Sequence, residues 1–215
     1  MQVSSLEDLQ DKIDRDFAWR KKELIDFSTV IEKSSSEFPV LCKMGIALLS
    51  AHFEGFVKNV SNYYLFYVSS REKDFSELTS NFAAIIIKKA LLAGSAISEK
   101  SSNITLYKDC ASKIIEEGSF RITNGVIDTK SNPTSEVLKN IFDTIGLDFT
   151  PYLTKVNYID SDLLKNRNKA VHGERFEIHK DTFESTREHI LEMMDKIAKQ
   201  IMDSATNENF LKEIT

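Results

Sequence analysis

Hydrophobic positions recur with helical spacing through most of the chain. Between residues 5 and 33, Leu6, Leu9, Ile13, Phe17, Leu24, Phe27 and Ile31 return at three-, four- and seven-residue intervals, with charged residues between them. That pattern predicts one long amphipathic helix with Trp19 as a packing residue, followed by a turn at Ser34-Ser35-Ser36. A second helix is expected from about Glu37 to Ser70. Its middle, Met44 to Val57, is apolar almost all round, so it should be buried on more than one side. Glycine in a helix interior costs about 1 kcal/mol relative to alanine. Gly45 and Gly55 are therefore expected to mark close approach of other helices. His52 and Glu54 are the polar exceptions. Either they are partly exposed or satisfied by a neighbour, or one of them reaches the Arg167/His172 strip described below.

Tyr63 to Tyr67 form an aromatic cluster suited to core or interface, and Arg71-Glu72-Lys73-Asp74 to a turn. Phe75 to Ala96 reads as a helix, Ser98 to Asn103 as a polar loop, and Tyr107 to Glu117 as a helix ended by Gly118. Phe120 to Thr123 and Val126 to Thr129 flank Asn124-Gly125, which is the signal of a two-residue β-hairpin. Two strands alone are marginal, so this hairpin is expected to lie on a helical body. Asn132 as cap and Pro133 in the first turn start the next helix; Val137, Leu138, Ile141, Phe142 and Ile145 form its apolar face, and Gly146 ends it. The last helix is expected to open on Asp181 and Glu184 as a capping box and to fray from Ser204. The fold class is all-α, a single domain over residues 1–215 with a small β-hairpin insertion at about 119–130.

One short stretch carries candidate chemistry, Leu163 to Glu174. It reads as a helix capped by Asp160 or Ser161 and ended by Gly173 in a left-handed conformation. Asn168 and His172, four apart, share a face with Lys165 nearby, while Arg167 is turned about 100° from Asn168 and about 140° from His172. Arg167 and His172 thus flank a strip on one helix end, and acting together they need a ligand or a second surface between them. Histidine exchanges protons near neutral pH, and arginine offers fixed donors to a phosphate. RNA brings its own nucleophile, the 2′-hydroxyl. By chemistry alone the signal is weak, because an exposed arginine and a capping histidine explain it too.

Composition narrows the function classes. With 28% charged and 41% hydrophobic residues the chain has the balance of a folded soluble protein. Three prolines and seven glycines in 215 residues favour long helices. The net charge of −5 argues against coating nucleic acid by bulk electrostatics but leaves room for a local basic patch, here Lys165, Arg167, Lys169 and Arg175. Cys42 and Cys110 show no metal spacing and are expected to be reduced and buried, with a disulfide between them the less favoured alternative. The four histidines show no HExxH or paired spacing, so neither metal nor cofactor is expected. With no apolar leader and no run of 18 apolar residues, the expectation is a cytoplasmic protein without membrane association.

Arg167-Asn168-Lys169-Ala170-Val171-His172 resembles the R-x4-6-H motif of HEPN domains, including the polar residue after the arginine. Ala51 to Lys58, Val126 to Asn132 and Ser135 to Leu138 extend the likeness to the MAE_28990/MAE_18760-like branch, from about residue 10 to 200. The resemblance implies an up-and-down helical bundle that dimerises, bringing two such helices to one cleft. It implies a metal-independent endoribonuclease of a toxin–antitoxin or phage-defence system, with an RNA substrate and an antitoxin or defence-system partner. On that reading His172 is the general base or acid, Arg167 stabilises the transition state, and Asn168 orients the cleft. Lys165, Lys169 and Glu54 are weaker candidates for substrate contact. The other reading is a non-catalytic HEPN module that binds a nucleic acid, a nucleotide or a partner protein. Position 174 is Glu, so the variant with tyrosine two residues after the histidine is absent.

Overall fold

In the computed structural model, which describes residues 2–34, 38–95, 108, 111–112, 118–122, 125–130 and 133–213, the long helices follow the hydrophobic periodicity. Helix α1 spans Leu6–Lys33, capped by the Ser5 hydroxyl, which accepts the Asp8 amide. Leu9, Ile13, Leu24 and Ile31 face inward as their spacing predicts. Trp19 does not pack in the core; it is 48% exposed, with the Arg20 guanidinium over its ring. The buried register belongs to Asp16 and Arg20, which pair with each other. Arg20 also donates to the His52 carbonyl, and Asn59 donates to Asp16. A buried ion pair needs such additional bonds to offset its desolvation.

Helix α2, Phe38–Ser70, is the pole of the bundle, with α1 and the C-terminal helices packed on it. Leu49, Phe53, Phe56, Val57 and Val60 are fully buried, and Tyr64 to Val68 are core as well. Its two glycines answer to close packing. A Cβ at Gly45 would meet Phe183 at 2.6 Å, and one at Gly55 would meet the Arg20 guanidinium at 2.8 Å. By length and composition Pro39–Ser70 is apolar enough to cross a membrane, but half of its most apolar window is buried against the other helices, as in a core helix.

Helix α3, Ser80–Ser95, starts later than the pattern from Phe75 predicts. Asp74 and Leu78 are bridged to Ser119 and Leu211, and the Thr79 amide donates to the Phe210 carbonyl, so this stretch is drawn out by partners distant in sequence. The expected loop from Ser98, most of the expected helix from Tyr107, and Cys110 lie outside the described residues. So do Thr123 and Asn124 of the expected hairpin. Its described flanks do not pair as strands. The Ile122 amide donates to Ser69 Oγ at 3.0 Å, and the Val126 and Ile127 amides donate to Asn62 Oδ1 at 3.0 and 3.4 Å. Gly125 sits where a Cβ would lie 2.8 Å from that same Asn62 oxygen. The glycine read as a turn residue is thus also required by close approach to α2.

Helix α4, Ser135–Ile145, is capped by Thr134 and closed by Gly146 at φ 74°. Asn132 lies outside the described residues, and Pro133 precedes the cap rather than following it. A 3-10 turn, Thr150–Lys155, leads through a π-helical segment, Tyr158–Lys165, directly into helix α5, Asn166–Val171. Helix α6, Lys180–Thr206, buries Phe183, Ile190, Met194, Ile197 and Ile201. Asp181 does not cap it; His179 holds that position without a side-chain bond, and Glu184 pairs with Arg187 and accepts from Ser28. Nor does the tail fray at Ser204. The Ser204 hydroxyl lies 2.8 Å from that of Tyr64, and Phe210 is fully buried.

Candidate functional site

The Arg167–His172 stretch is placed by what precedes it. Ile159, Leu163 and Leu164 of the π-helical segment are buried and anchor it on the bundle. Asp160, expected to cap its own helix, instead accepts from the Ser135 amide at 2.8 Å and from the Ser135 hydroxyl. It ties the segment to the N-terminus of α4, whose amides would otherwise lack partners. The π-helical turns run into α5 without a break, so the helix needs no cap of its own at Asp160 or Ser161. π-helical turns are enriched at functional sites.

No side chain of α5 is buried. His172 follows as its C-cap, exposed, with its amide donating to the Asn168 carbonyl at 3.0 Å. Gly173 is left-handed at φ 71°, as the sequence predicts for a helix end. Arg167 is half-buried, and its Nη1 donates to Asn168 Oδ1 at 3.0 Å. Asn168 thereby holds one edge of the guanidinium of its neighbour, a contact between residues that helical spacing places about 100° apart. It restricts a side chain that otherwise has many rotamers.

A cleft of about 570 Å³ opens beside α5. Lys165, Asn168 and Lys169 line one wall, Leu164 contributes an apolar surface, and Glu136 and Glu174 supply carboxylates. The structure thus brings together three of the residues singled out in the sequence, whereas Arg167 and His172 are not among its lining. Lys169 Nζ stands 5.5 Å from the centroid of the Phe176 ring, and Lys43 Nζ of α2 lies over the same ring at 4.6 Å. Sequence reasoning missed Glu136, Phe176 and the Asp160 latch. The local signal for the first was the Thr134-Ser135-Glu136 run, which opens a helix.

Glu54 stands apart from the cleft and accepts the Thr129 hydroxyl. His52 does not reach the strip either. It is buried beside Trp19, with Nε2 3.5 Å from Glu23 and both ring nitrogens without a hydrogen bond among the described residues. Burial pushes its imidazole below the ordinary value; Glu23 pulls the other way, and Arg20 adds to the lowering. Cys42 is a free, buried thiol, raised by burial. Among the described residues no three His, Cys, Asp or Glu side chains gather as metal ligands.

A search of curated proteins and a search of solved structures each returned no match. A family model described as RiboL-PSP-HEPN matches residues 15–203. The match bears out the HEPN likeness of the α5 motif and falls on a different branch from the MAE_28990/MAE_18760-like one. It spans α1 to α6, so the whole bundle and not the motif alone carries the relationship.

Proposed function

The chain belongs to the RiboL-PSP-HEPN family of HEPN domain proteins, and from that premise we propose that it is an endoribonuclease. The family makes a nuclease or a nucleotide-binding module the class. The observation favouring the nuclease is an exposed His172 at the end of the same short helix that carries Arg167, whose guanidinium donates to Asn168.

In the proposed reaction the 2′-oxygen forms a bond to the adjacent phosphorus as the bond to the 5′-oxygen breaks. His172 takes the 2′-hydroxyl proton or returns one to the leaving 5′-oxygen. Arg167 donates to the phosphoryl oxygens as negative charge builds on them. The products are a 2′,3′-cyclic phosphate and a 5′-hydroxyl. No step needs a metal or cofactor, so the reaction is proposed to be metal-independent.

One helix end cannot supply both proton transfers from opposite sides, so the working unit is proposed to be a two-fold homodimer. On α2, Val40, Met44 and Ala51 are exposed and fall within about 40° of one another around the helix axis. Val40 is 60% and Met44 57% exposed, and Val171 at the end of the adjoining α5 is 54% exposed. An apolar stripe beside the motif suits an isologous contact that sets two such helix ends together. Light scattering at micromolar concentration should give twice the 24.5 kDa chain mass. A monomer that cleaves RNA at full rate would remove the shared cleft.

The biological setting is proposed to be a cytoplasmic toxin–antitoxin or phage-defence system, with an antitoxin or defence partner that restrains the enzyme. The net charge of −5 favours the alternative, a non-catalytic binding module. Purified protein incubated with single-stranded RNA in EDTA decides between them. Fragments ending in 2′,3′-cyclic phosphate support the enzyme; intact RNA at high protein concentration supports the module.

A further inference from the structure

The cleft beside α5 has the wrong charge for a second phosphate site. Glu136 and Glu174 line it together with Lys165 and Lys169, and a phosphate would meet carboxylates as well as ammonium groups. The N-terminus of α4, which borders it, is already served: Asp160 accepts the Ser135 amide, and Thr134 accepts the Val137 amide. These charges do not cancel one another in place. Among the described residues Lys165, Lys169, Glu136 and Glu174 take part in no ion pair, and Lys169 leans on the Phe176 ring. Donors and acceptors of both signs are therefore kept apart around a space of about 570 Å³, within the range of pockets that take small organic ligands.

Such a lining suits the edges of an unstacked nucleobase, the part of single-stranded RNA that proteins read. Guanine answers this mixture best. Its O6 and N7 are paired acceptors for an ammonium group. Its N1–H and exocyclic N2–H are two parallel donors that a single carboxylate accepts with both oxygens, the geometry that makes bidentate recognition specific. Adenine and cytosine set one N–H donor beside an acceptor, and uracil has no exocyclic amino group, so each leaves a carboxylate oxygen opposed or unmatched. Leu164 gives the base an apolar contact.

We infer that this cleft is a guanine-reading subsite, with Glu136 or Glu174 accepting from N1–H and N2–H and Lys165 or Lys169 donating to O6 and N7. The inference rests on the reading of the protein as an RNA-cutting enzyme, since it places the recognised base next to the phosphate that Arg167 and His172 would handle.

The test is binding rather than cleavage. Wild-type protein is titrated with short 2′-O-methyl oligonucleotides, which lack the nucleophile, each with one variable base in an otherwise uracil strand. Guanine should bind tightest. Hypoxanthine, which lacks only the exocyclic amino group, should bind about tenfold more weakly, in line with a lost hydrogen bond to a charged acceptor. The Glu136→Gln/Glu174→Gln double variant should bring guanine and hypoxanthine together. Equal affinity for all bases, or a guanine preference that survives in the double variant, would overturn the subsite. If guanine preference holds but 2′-hydroxyl RNA stays uncut, the subsite stands and the nuclease reading fails.

Discussion

Helix α2 runs for 33 residues and buries Leu49, Phe53, Phe56 and Val57 completely, whereas α5 runs for six and buries no side chain. The two pack against each other. Their difference separates two jobs. In α2 the side chains themselves supply the free energy that holds the helix in place. In α5 that comes from outside: Leu163 and Leu164 before it and Phe183 after it are buried, and the short helix between them is left to present polar groups. Short helices are unstable alone, so α5 keeps its geometry only because its flanks are fixed. Substitutions in the two regions should therefore separate stability from activity.

Truncation in α2 should have the largest effect on folding. Phe53→Ala should lower stability by about 3–5 kcal/mol, measured by urea or thermal unfolding, because a fully buried ring leaves a cavity. Leu163→Ala lies at the junction and sharpens the comparison. It should cost about 2–5 kcal/mol and also weaken RNA cleavage, since it loosens the anchor of α5. An unchanged melting temperature in either variant would mean that the burial described does not hold the bundle together.

A smaller effect is expected where two helices nearly touch. A Cβ at Gly55 would lie 2.8 Å from the Arg20 guanidinium, which is held by Asp16 and the His52 carbonyl. Gly55→Ala should destabilise by about 1–3 kcal/mol through overpacking, although alanine is the better helix former. If the variant were more stable than wild type, Arg20 would have room to move that the packing does not show.

The smallest effect is a pH dependence. Burial holds the His52 imidazole below its ordinary value of about 6.5, so the unfolded chain takes up this proton more readily than the folded one. The associated stability is fully present above about pH 6.5 and is lost as pH falls from there through the lower folded value. Urea unfolding at about pH 7.5 and about pH 5.5 should show that loss. His52→Phe, a ring that cannot titrate, should reduce it.

The long helices were legible because apolar positions recur every three or four residues, although that pattern did not reveal that the paired Asp16 and Arg20 take two of the buried positions of α1. Contacts between distant residues were not legible. The amides of Val126 and Ile127 are answered by Asn62, which no local pattern around Asn124-Gly125 reveals, so the described residues 125–129, read as part of a strand pair, lie on α2 as irregular backbone. The tail read as fraying because its composition is polar, yet Phe210 finds a buried place against Tyr67. At the site, Arg167, Asn168 and His172 were visible as a motif. The cleft was not, since Glu136 reaches it from α4, and Asp160 bonds that helix rather than capping its own.

The central claim is that α5 carries the chemistry without supporting the fold. His172→Ala, assayed beside wild type on single-stranded RNA in EDTA, tests it most directly. His172 is exposed, so the variant should unfold within about 0.5 kcal/mol of wild type. Its cleavage rate should fall on the order of 100-fold or more. Equal rates in the two proteins, or wild-type cleavage that EDTA abolishes and magnesium restores, would contradict the account.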